Sequence, residues 1–361
     1  MDKKSKYKED FLQIALQSQY ISTNFDPTKK QEIGKGGFSS IYSLPMFPSQ
    51  DLVAIKIFIP NDKDDDHDRK TMGINEIKVL SILGPHPHVV NVIETYKNED
   101  FCFISMELGT CNLEELLYQN GDFLEIHDLL QLFTDLIFPL KDAHLKDIIH
   151  MDIKPQNVII FKTDDRTKNK DVQDICVYNK QIIYKLGDWG GGLIAVNKAD
   201  LTVSLKADDW GFTKGYYAPE LCRWIDQRIG KFNKTKFDIC SLGKTMMVAC
   251  GIKIKEFKYT CEIPEEEKYE RIMREIFEKF KIEQIYGKRL SDLIFSMVSF
   301  DYKKRPSCNQ ILDELKEINK ELAYVHFFLK LLIFYIKSRL IKGSMKFTII
   351  ISYMIRRVGS L

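Results

Sequence analysis

The stretch that decides the fold is His150-Met151-Asp152-Ile153-Lys154-Pro155-Gln156-Asn157, a polar run between two short apolar ones. Ile148 and Ile149 precede it, and the apolar residues 158–160 follow it. β-branched residues on both sides predict short buried strands, so the polar residues are expected on a loop held by the core. Pro155 removes a backbone donor and fixes one φ angle, which argues against a helix through the middle.

Three side chains of this loop have the chemistry that is needed to move a phosphoryl group. The Asp152 carboxylate can accept the proton of a nucleophile, and the Lys154 ammonium can neutralise phosphate charge. The amide oxygen of Asn157 can hold Mg²⁺. The plain alternative is a polar turn between two strands, so the assignment depends on the rest of the chain.

A glycine cluster near the N-terminus has the composition of a phosphate-binding turn. Gly34, Gly36 and Gly37 let a hairpin bring backbone N–H groups close to phosphate oxygens, because no Cβ intervenes. Alone, such a cluster is more often a plain turn. The strand that follows alternates so that Ala54 and Lys56 share one face. There the small side chain leaves room for a flat base, and the lysine can reach phosphates.

The next helix carries one acidic residue on an otherwise apolar face. Glu76, Leu80 and Leu83 occur at positions i, i+4 and i+7 and therefore lie on the same side. A single glutamate on a helix is usually a surface residue. This one leads an apolar face, which makes it a candidate functional residue.

The spacing His-x-Asp-x-Lys-Pro-x-Asn resembles the catalytic loop of the protein kinases. A glycine hairpin followed by Val53-Ala54-Ile55-Lys56 is similar to the nucleotide lobe of that family, in which Glu76 would pair with Lys56. Residues 185–190, Lys-Leu-Gly-Asp-Trp-Gly, resemble the magnesium-binding Asp-Phe-Gly segment, with Trp189 in the Phe place.

Later segments extend the resemblance through the second half of the chain. Residues 213–220, Thr-Lys-Gly-Tyr-Tyr-Ala-Pro-Glu, resemble the end of the activation segment. Asp238 opens a helix similar to the buried central helix of the large lobe, and it is expected to bind the catalytic-loop backbone. Arg305 matches the late arginine of the family, which predicts an ion pair with Glu220. The motifs occur in order over about residues 31–322, and the ordered set is very specific.

The resemblance implies an α+β, bilobal protein kinase-like fold, with a small β-rich N-lobe containing one main helix and a large, mainly helical C-lobe. From Asn157 to Asp188 the chain runs 31 positions, where the family usually has a much shorter hairpin. A surface insertion is therefore predicted, with a docking role as the alternative to a tolerated loop. The predicted segments are an N-terminal extension at 1–24, the N-lobe at 25–107, the C-lobe at 108–322 with the insertion at 162–181, and an apolar and basic tail at 323–361.

The resemblance also implies ATP and Mg²⁺ as cofactors and assigns roles to residues. Asp152 and Lys154 would be catalytic, and Asn157 and Asp188 would hold Mg²⁺. Met106 would limit access to the pocket behind the adenine. Backbone groups of residues 107–109 would form hydrogen bonds with the edge of the base. The full set expected to bind ATP is Ile33, Gly34, Lys35, Gly36, Gly37, Phe38, Ser39, Ile41, Ala54, Lys56, Glu76, Met106, Glu107, Gly109 and Ile159.

The implied activity is transfer of the ATP γ-phosphoryl group to Ser or Thr hydroxyls of protein substrates. Lys154 favours Ser/Thr over the Ala-Ala-Arg or Arg-Ala-Ala of tyrosine kinases. Three departures, Ser39, Met151 and Trp189, support the alternative of a catalytically impaired pseudokinase that acts as an ATP-binding scaffold. A small-molecule phosphotransferase of related fold would share the Asp-and-Asn loop, but it is not expected to carry Ala-Pro-Glu with a late arginine.

Met151 stands where many kinases have the arginine that binds a phosphorylated activation loop. Without that cation a phosphate loses a charge-assisted partner. Phosphorylation within residues 193–212, for example at Thr202 or Ser204, is therefore predicted not to be obligatory for activity.

The composition restricts partners and compartment. Lys+Arg is 53 and Asp+Glu is 51, a net charge of +2, so no nucleic acid partner is implied. The 8 cysteines form no Cys-x-x-Cys pair, so neither a disulfide framework nor a zinc site is favoured. The acidic run at 62–68 is read as a solvated loop rather than a metal site. Residues 1–10 lack the apolar core of a signal peptide, and a reducing cytoplasmic or nuclear setting is expected.

The last part of the chain differs from the rest. Ser307 and Gln310 form a capping box that opens a helix with Ile311, Leu315, Ile318 and Leu322 along one face. Beyond it, residues 325–336 and 347–355 are apolar, too short to span a bilayer, and interleaved with Lys and Arg. Docking of this tail against the large lobe is favoured over the alternative of a helix on a membrane surface.

Overall fold

The structure is a computed structural model that describes residues 19–35, 39–58, 66–97, 102–162, 182–194, 213–221 and 233–342. Several predictions fall outside these residues: those for Gly36, Gly37, Phe38, Thr202 and Ser204, for the insertion beyond Lys162, and for the tail beyond Lys342. The side chains of the acidic run at 62–68 are outside them as well.

The N-terminal lobe is organised around a five-stranded antiparallel sheet. Ile55, Ile57 and Phe103 are fully buried in it, because one face packs on the main helix of the lobe and the other on the segment around Ile21 and Phe25. The elements are α1 (Gln19–Asn24), β1 (Gln31–Lys35), β2 (Ser40–Pro45), β3 (Leu52–Phe58), α2 (Asp66–Leu83), β4 (Val92–Lys97) and β5 (Cys102–Glu107), and the strand order is β1-β2-β3-β5-β4.

The C-terminal lobe is mainly helical, so the bilobal α+β arrangement is confirmed. Its long core helix, Ile126–Leu145, buries an apolar stripe. It packs against the helices Lys234–Ala249 and Cys308–Lys342 and against the strand Ile182–Leu186. The helices are α3 (Leu113–Gln119), α4 (Ile126–Leu145), α5 (Lys234–Ala249), α6 (Ile254–Phe257), α7 (Glu266–Lys279), α8 (Ile282–Tyr286), α9 (Lys288–Met297) and α10 (Cys308–Lys342).

Short strands between the lobes hold the polar loop, as the apolar runs predicted. The segment that precedes the loop pairs with one strand, and the segment that follows it pairs with two. Most of their buried side chains lie in the core of the large lobe, while Ile149 and Leu193 lie in a separate apolar cluster with Met151 and Phe237. The strands are β6 (Cys111–Asn112), β7 (Ile148–Ile149), β8 (Val158–Lys162), β9 (Ile182–Leu186) and β10 (Leu193–Ile194), with β7 paired to β10 and the order β6-β8-β9.

The last helix begins as predicted and then leaves the core. The amide of Ser307 donates to Gln310 Oε1 at 2.8 Å, and the amide of Gln310 donates to Ser307 Oγ at 3.3 Å, which completes the capping box. The first turns bury Ile311 and Leu315. α10 continues without a break to Lys342 and is 35 residues long in all.

The prediction that the tail docks on the large lobe is wrong for four residues of the tail, while the side chains of residues 331–342 are outside the described part. Tyr324, Phe327, Phe328 and Leu329 are exposed rather than packed. The apolar pattern that suggested docking is the same whatever covers it, so the sequence could not identify the partner. A search of the described residues found no helix with the length and hydropathy of a membrane span.

Candidate active site

The backbone of the loop at 150–157 is held by one buried carboxylate. Asp238 is fully buried, and its Oδ2 and Oδ1 accept hydrogen bonds from the amides of His150 at 2.8 Å and Met151 at 3.0 Å. His144 Nε2 lies 3.0 Å from the same carboxylate. Two amides bound to one side chain hold a sharp turn in which Met151 takes a positive φ of 70°. The expected contact between Asp238 and the loop backbone is therefore confirmed.

Asp152 sits at the centre of a set of polar contacts. Lys154 Nζ lies 2.6 Å from Asp152 Oδ2 and also 2.6 Å from Thr213 Oγ1. The amide of Thr213 donates to Asp152 Oδ1 at 3.2 Å, and Asn157 Nδ2 donates to the Asp152 backbone oxygen at 2.7 Å. The carboxylate is thus oriented by donors from the loop and from the 213–221 segment. These residues meet although up to 61 positions separate them in the chain.

Lys56 joins the two lobes. Its Nζ lies 2.7 Å from Glu76 Oε2 and 2.6 Å from Asp188 Oδ1. Burial alone would lower the pKa of Lys56, but the two carboxylates raise it, so the ammonium stays protonated. Desolvation opposes ionisation of Asp188, yet Lys56 outweighs it and lowers the pKa of Asp188 to about 2. The three charges form one network across the cleft.

Asn157 and Asp188 lie at adjacent strand ends and offer oxygen ligands. The amide of Gly187 donates to the Asn157 backbone oxygen at 2.8 Å, next to the β8–β9 pair, which brings the two residues together. Asn157 uses Nδ2 as a donor to Asp152, and its Oδ1 accepts no hydrogen bond from the described residues. The Asp188 side chain is 46% exposed. An amide oxygen and an ionised carboxylate fit a hard divalent cation.

The positions expected to surround the adenine lie on β3, on β8 and at the end of β5. In the sheet Ala54 is opposite Met106, and Ala54 is buried. A Cβ on Gly109 would lie only 2.2 Å from Ile159 Cγ2, so the close approach of these two positions requires a glycine. Of the hairpin positions, Ile33, Gly34 and Lys35 lie on β1, Ser39 directly precedes β2, and Ile41 faces Gly34 across the strand pair.

Two contacts near the site had no signal in the sequence. Asn75 Nδ2 donates to the backbone oxygens of Gly190 at 3.2 Å and Gly192 at 2.7 Å, which ties α2 to the segment after Asp188. The Glu107 carboxylate lies 2.6 Å from Lys185 Nζ and accepts from the Asn91 amide at 2.6 Å. Both involve single polar residues whose partners are backbone atoms or distant side chains, and no spacing rule identifies such pairs.

The predicted ion pair between Arg305 and Glu220 is present and confirmed. Arg305 Nη1 and Nη2 lie 2.6 and 2.7 Å from the two carboxylate oxygens, an end-on bidentate arrangement. Both residues are buried. Arg305 also donates to the backbone oxygens of Ser299 and Lys236, each at 2.9 Å. The pair holds the 213–221 segment onto the helical lobe beside the catalytic loop.

Comparison with known proteins agrees with this geometry. The sequence model of the protein kinase domain matches residues 28–315. The chain belongs to the protein kinase family. It is 27% identical over 286 residues to serine/threonine-protein kinase Nek8 of Danio rerio, covering 79% of this chain and 36% of that protein.

Two further kinases show the same degree of similarity. Wee1-like protein kinase 2 of Xenopus tropicalis is 27% identical over 258 residues, which cover 68% of this chain and 39% of that protein. Calcium-dependent protein kinase 5 of Plasmodium falciparum is 26% identical over 292 residues, which cover 78% of this chain and 44% of that protein. This kinase thus spans less than half the length of these relatives. The family generally uses ATP with a divalent metal.

The tryptophan in the Asp-Trp-Gly segment of this kinase is a packing residue. Trp189 is 1% exposed, and its ring centroid lies 4.5 Å from that of His150. Its Nε1 donates to the Leu186 backbone oxygen at 3.4 Å, so the indole has a polar partner. The larger ring is accommodated between the catalytic loop and β9.

The His144–Asp238 contact predicts a pH-dependent stability of this kinase. Burial alone would lower the pKa of His144, but Asp238 and the neighbouring Cys308 raise it to about 9. The unfolded pKa is about 6.5, so the stabilisation is complete below that pH and is lost as the pH rises through 9. A shift of this size corresponds to about 3 kcal/mol in the free energy of unfolding.

Urea unfolding of His144→Gln and of the wild type between pH 6 and pH 10 measures this loss. We expect the wild type to lose more stability than the variant over this range. His127→Gln, at an exposed position, is the control and should follow the wild type. Identical pH slopes for wild type and His144→Gln would contradict the assignment.

Proposed function

We propose that this kinase transfers the γ-phosphoryl group of Mg²⁺-ATP to Ser or Thr hydroxyls of protein substrates. The observation that carries the proposal is that Lys56 of the N-lobe contacts Asp188, while Lys154, whose charge also acts on Asp188, bridges Asp152 and Thr213. Residues 25–107 and 108–322 would be the two lobes, with 1–24 and 323–361 as extensions. No disulfide bond involves Cys102, Cys111, Cys240, Cys250 or Cys308, which is consistent with the proposed cytoplasmic setting.

Asp152 is proposed to orient the substrate hydroxyl and to accept its proton. Its carboxylate is held by Lys154 and by the Thr213 amide, so it is positioned before substrate arrives. Because phosphoryl transfer has little covalent chemistry for the protein to perform, positioning and electrostatics supply most of the rate enhancement. A hydroxyl placed next to Asp152 Oδ would lose its proton to that carboxylate as its oxygen bonds to the γ-phosphorus, while the bond from the γ-phosphorus to the bridging oxygen breaks and ADP leaves.

Lys154 and Lys56 would offset the negative charge of the phosphates at two points. Lys154 already bridges Asp152 and Thr213, so its ammonium is directed to the place where the transferred group would pass. Lys56 would bind the α- and β-phosphates while Glu76 holds its ammonium group in place. When bound, Mg²⁺ would neutralise phosphate oxygens, and Asn157 and Asp188 would be its protein ligands.

The adenine of ATP would lie between the two lobes next to the end of β5. Ala54 and Ile159 would contact its faces, and backbone groups at Glu107 and Gly109 would bind its edge. The ion pair of Glu107 with Lys185 fixes that segment without using its backbone. Met106 would limit the depth of the pocket. The contacts of Ile33, Gly34, Lys35, Gly36, Gly37, Phe38, Ser39 and Ile41 would be with the phosphates and the sugar.

Phosphoamino-acid analysis of a generic basic protein incubated with labelled ATP and Mg²⁺ tests the proposal. We expect label on serine and threonine, and loss of labelling when the metal is chelated. Nucleotide binding measured in parallel separates this outcome from that of a scaffold. Binding of ATP without turnover would favour the pseudokinase alternative, and label on tyrosine alone would contradict the substrate class.

The position of Met151 supports activity without phosphorylation of residues 193–212. Met151 is 2% exposed and packs in an apolar cluster with Ile149, Leu193 and Phe237, so the side chain at this position offers no cation to a phosphate. Phosphatase treatment should therefore leave the rate of substrate phosphorylation within about twofold, since no charge-assisted contact is lost. A large loss of activity that returns on rephosphorylation would refute this expectation.

A further inference from the structure

The distal part of α10 carries large apolar side chains on the surface. Tyr324, Phe327, Phe328 and Leu329 are 62%, 58%, 37% and 50% exposed, and we refer to these four residues as the aromatic patch. Tyr324, Phe327 and Phe328 are spaced i, i+3 and i+4, so they occupy one side of the helix. Burial of these large apolar side chains against a partner lowers the free energy, so we treat the patch as a contact surface.

The aromatic patch lies on a helix whose first half is packed into the large lobe. Ile311, Leu315 and Ile318 of the same helix are buried in the core of the large lobe, and Leu322 packs at its margin. The helix continues unbroken from these residues to Lys342. A partner that binds the patch is therefore held at a fixed place relative to the large lobe.

The charge of the chain changes sign where the aromatic patch begins. After Glu321 there is no acidic residue. The chain beyond it contains seven of the 53 Lys and Arg residues. Residues 1–321 therefore contain 46 Lys and Arg and all 51 Asp and Glu, so their net charge is negative. The seven are Lys330, Lys337, Arg339, Lys342, Lys346, Arg356 and Arg357.

Four of the seven cations lie on the helix that carries the aromatic patch: Lys330, Lys337, Arg339 and Lys342. Lys330 is exposed directly after the aromatic patch, and Lys337 follows seven positions later, two helical turns along the same side. Residues 331–336 between them are Leu-Leu-Ile-Phe-Tyr-Ile. Helices that combine a broad apolar surface with Lys and Arg lie in the headgroup region of bilayers and favour anionic lipids.

We propose that residues 322–342 bind the surface of a membrane that contains anionic lipid. The aromatic patch enters the boundary between headgroups and acyl chains, and Lys330 and Lys337 contact headgroup phosphates. A second copy of the chain fits less well, because two such helices side by side would bring the four cations of one helix, Lys330, Lys337, Arg339 and Lys342, next to the same four of the other. The large lobe of the same chain leaves the patch exposed.

Sedimentation of the full chain with vesicles tests the proposal. We expect binding to vesicles of phosphatidylcholine mixed with phosphatidylserine, and weaker binding to vesicles of phosphatidylcholine alone or at high salt. Phe327→Ser with Phe328→Ser should lower the partition coefficient by roughly 100-fold, since both side chains lose apolar burial. Lys330→Gln with Lys337→Gln should lower it by roughly 30-fold, at about one charge contact per lysine.

Matched controls separate a local effect from a general loss of surface charge or apolar area. Tyr118→Ser with Leu145→Ser removes side chains that are 84% and 76% exposed elsewhere. Lys255→Gln with Lys268→Gln removes the same charge at other exposed positions. Both controls should bind vesicles as the wild type does.

Two results would overturn the proposal. One is equal binding to the two kinds of vesicle at low and high salt. The other is absence of vesicle binding together with a dimer, measured by light scattering, that Phe327→Ser with Phe328→Ser dissociates, because the patch would then be a contact between copies.

Discussion

Replacing Asp152 by asparagine is expected to lower kcat by about 10²–10⁴-fold, the usual contribution of a positioned acid–base group. Asparagine has nearly the same shape, but its single amide oxygen can accept only one of the two hydrogen bonds that the Asp152 oxygens accept from Lys154 and the Thr213 amide. It cannot take up the hydroxyl proton. The loss should therefore fall on turnover, while nucleotide affinity, which depends on the other side of the cleft, changes little.

Transfer from labelled ATP to a generic basic protein measures this effect, with nucleotide binding followed separately. Asp313→Asn is the matched control, because this carboxylate is 75% exposed and contacts only the surface Lys316 at 3.4 Å. Its kcat should equal that of the wild type. Turnover of Asp152→Asn at the wild-type rate would refute the assigned role of Asp152.

Replacing Arg305 by glutamine is expected to lower the free energy of unfolding by about 3–5 kcal/mol, the usual loss when one partner of a buried ion pair is removed. The change leaves the Glu220 carboxylate buried without its bidentate partner. It also removes donors from the backbone oxygens of Ser299 and Lys236. The 213–221 segment would lose its attachment to the helical lobe, so substrate phosphorylation should fall as well.

Thermal unfolding of Arg305→Gln should show a fall in Tm on the order of 10 °C. Arg289→Gln is the control, since Arg289 also contacts two carboxylates, Glu314 and Glu321, but is 38% exposed. Solvent screens such a pair, and its loss should cost at most about 1 kcal/mol. Equal falls in Tm for the two variants would contradict the argument from burial.

Much of the fold could be predicted because the relevant signals are local in sequence. The β-branched runs around the loop, the capping box at Ser307 and the apolar face of α10 each depend on residues a few positions apart, and all are present. The Arg305–Glu220 pair was predictable only through the resemblance to a family. Spacing within the chain carries no information on a contact over 85 positions.

The parts that the sequence did not predict involve contacts with no pattern of their own. Asn75 binds two backbone oxygens, and Lys185 pairs with Glu107 from 78 positions away. The packing of Ile21 on the N-lobe sheet was also not expected, because residues 1–24 were assigned to an extension. For the tail, hydrophobicity alone predicted that the apolar side chains would be covered. It did not predict that Tyr324, Phe327, Phe328 and Leu329 would be exposed on the large lobe's last helix.

The adjacent residues Asn75 and Glu76 give α2 a mechanical role in the cleft. Glu76 holds Lys56, and Asn75 holds the backbone after Asp188, so one rigid helix supports both a cationic and an anionic part of the site. Rotating or withdrawing this helix breaks both attachments in one movement. The position of a single helix therefore sets whether the two halves of the cleft are assembled, and any ligand that shifts it would act on both halves together.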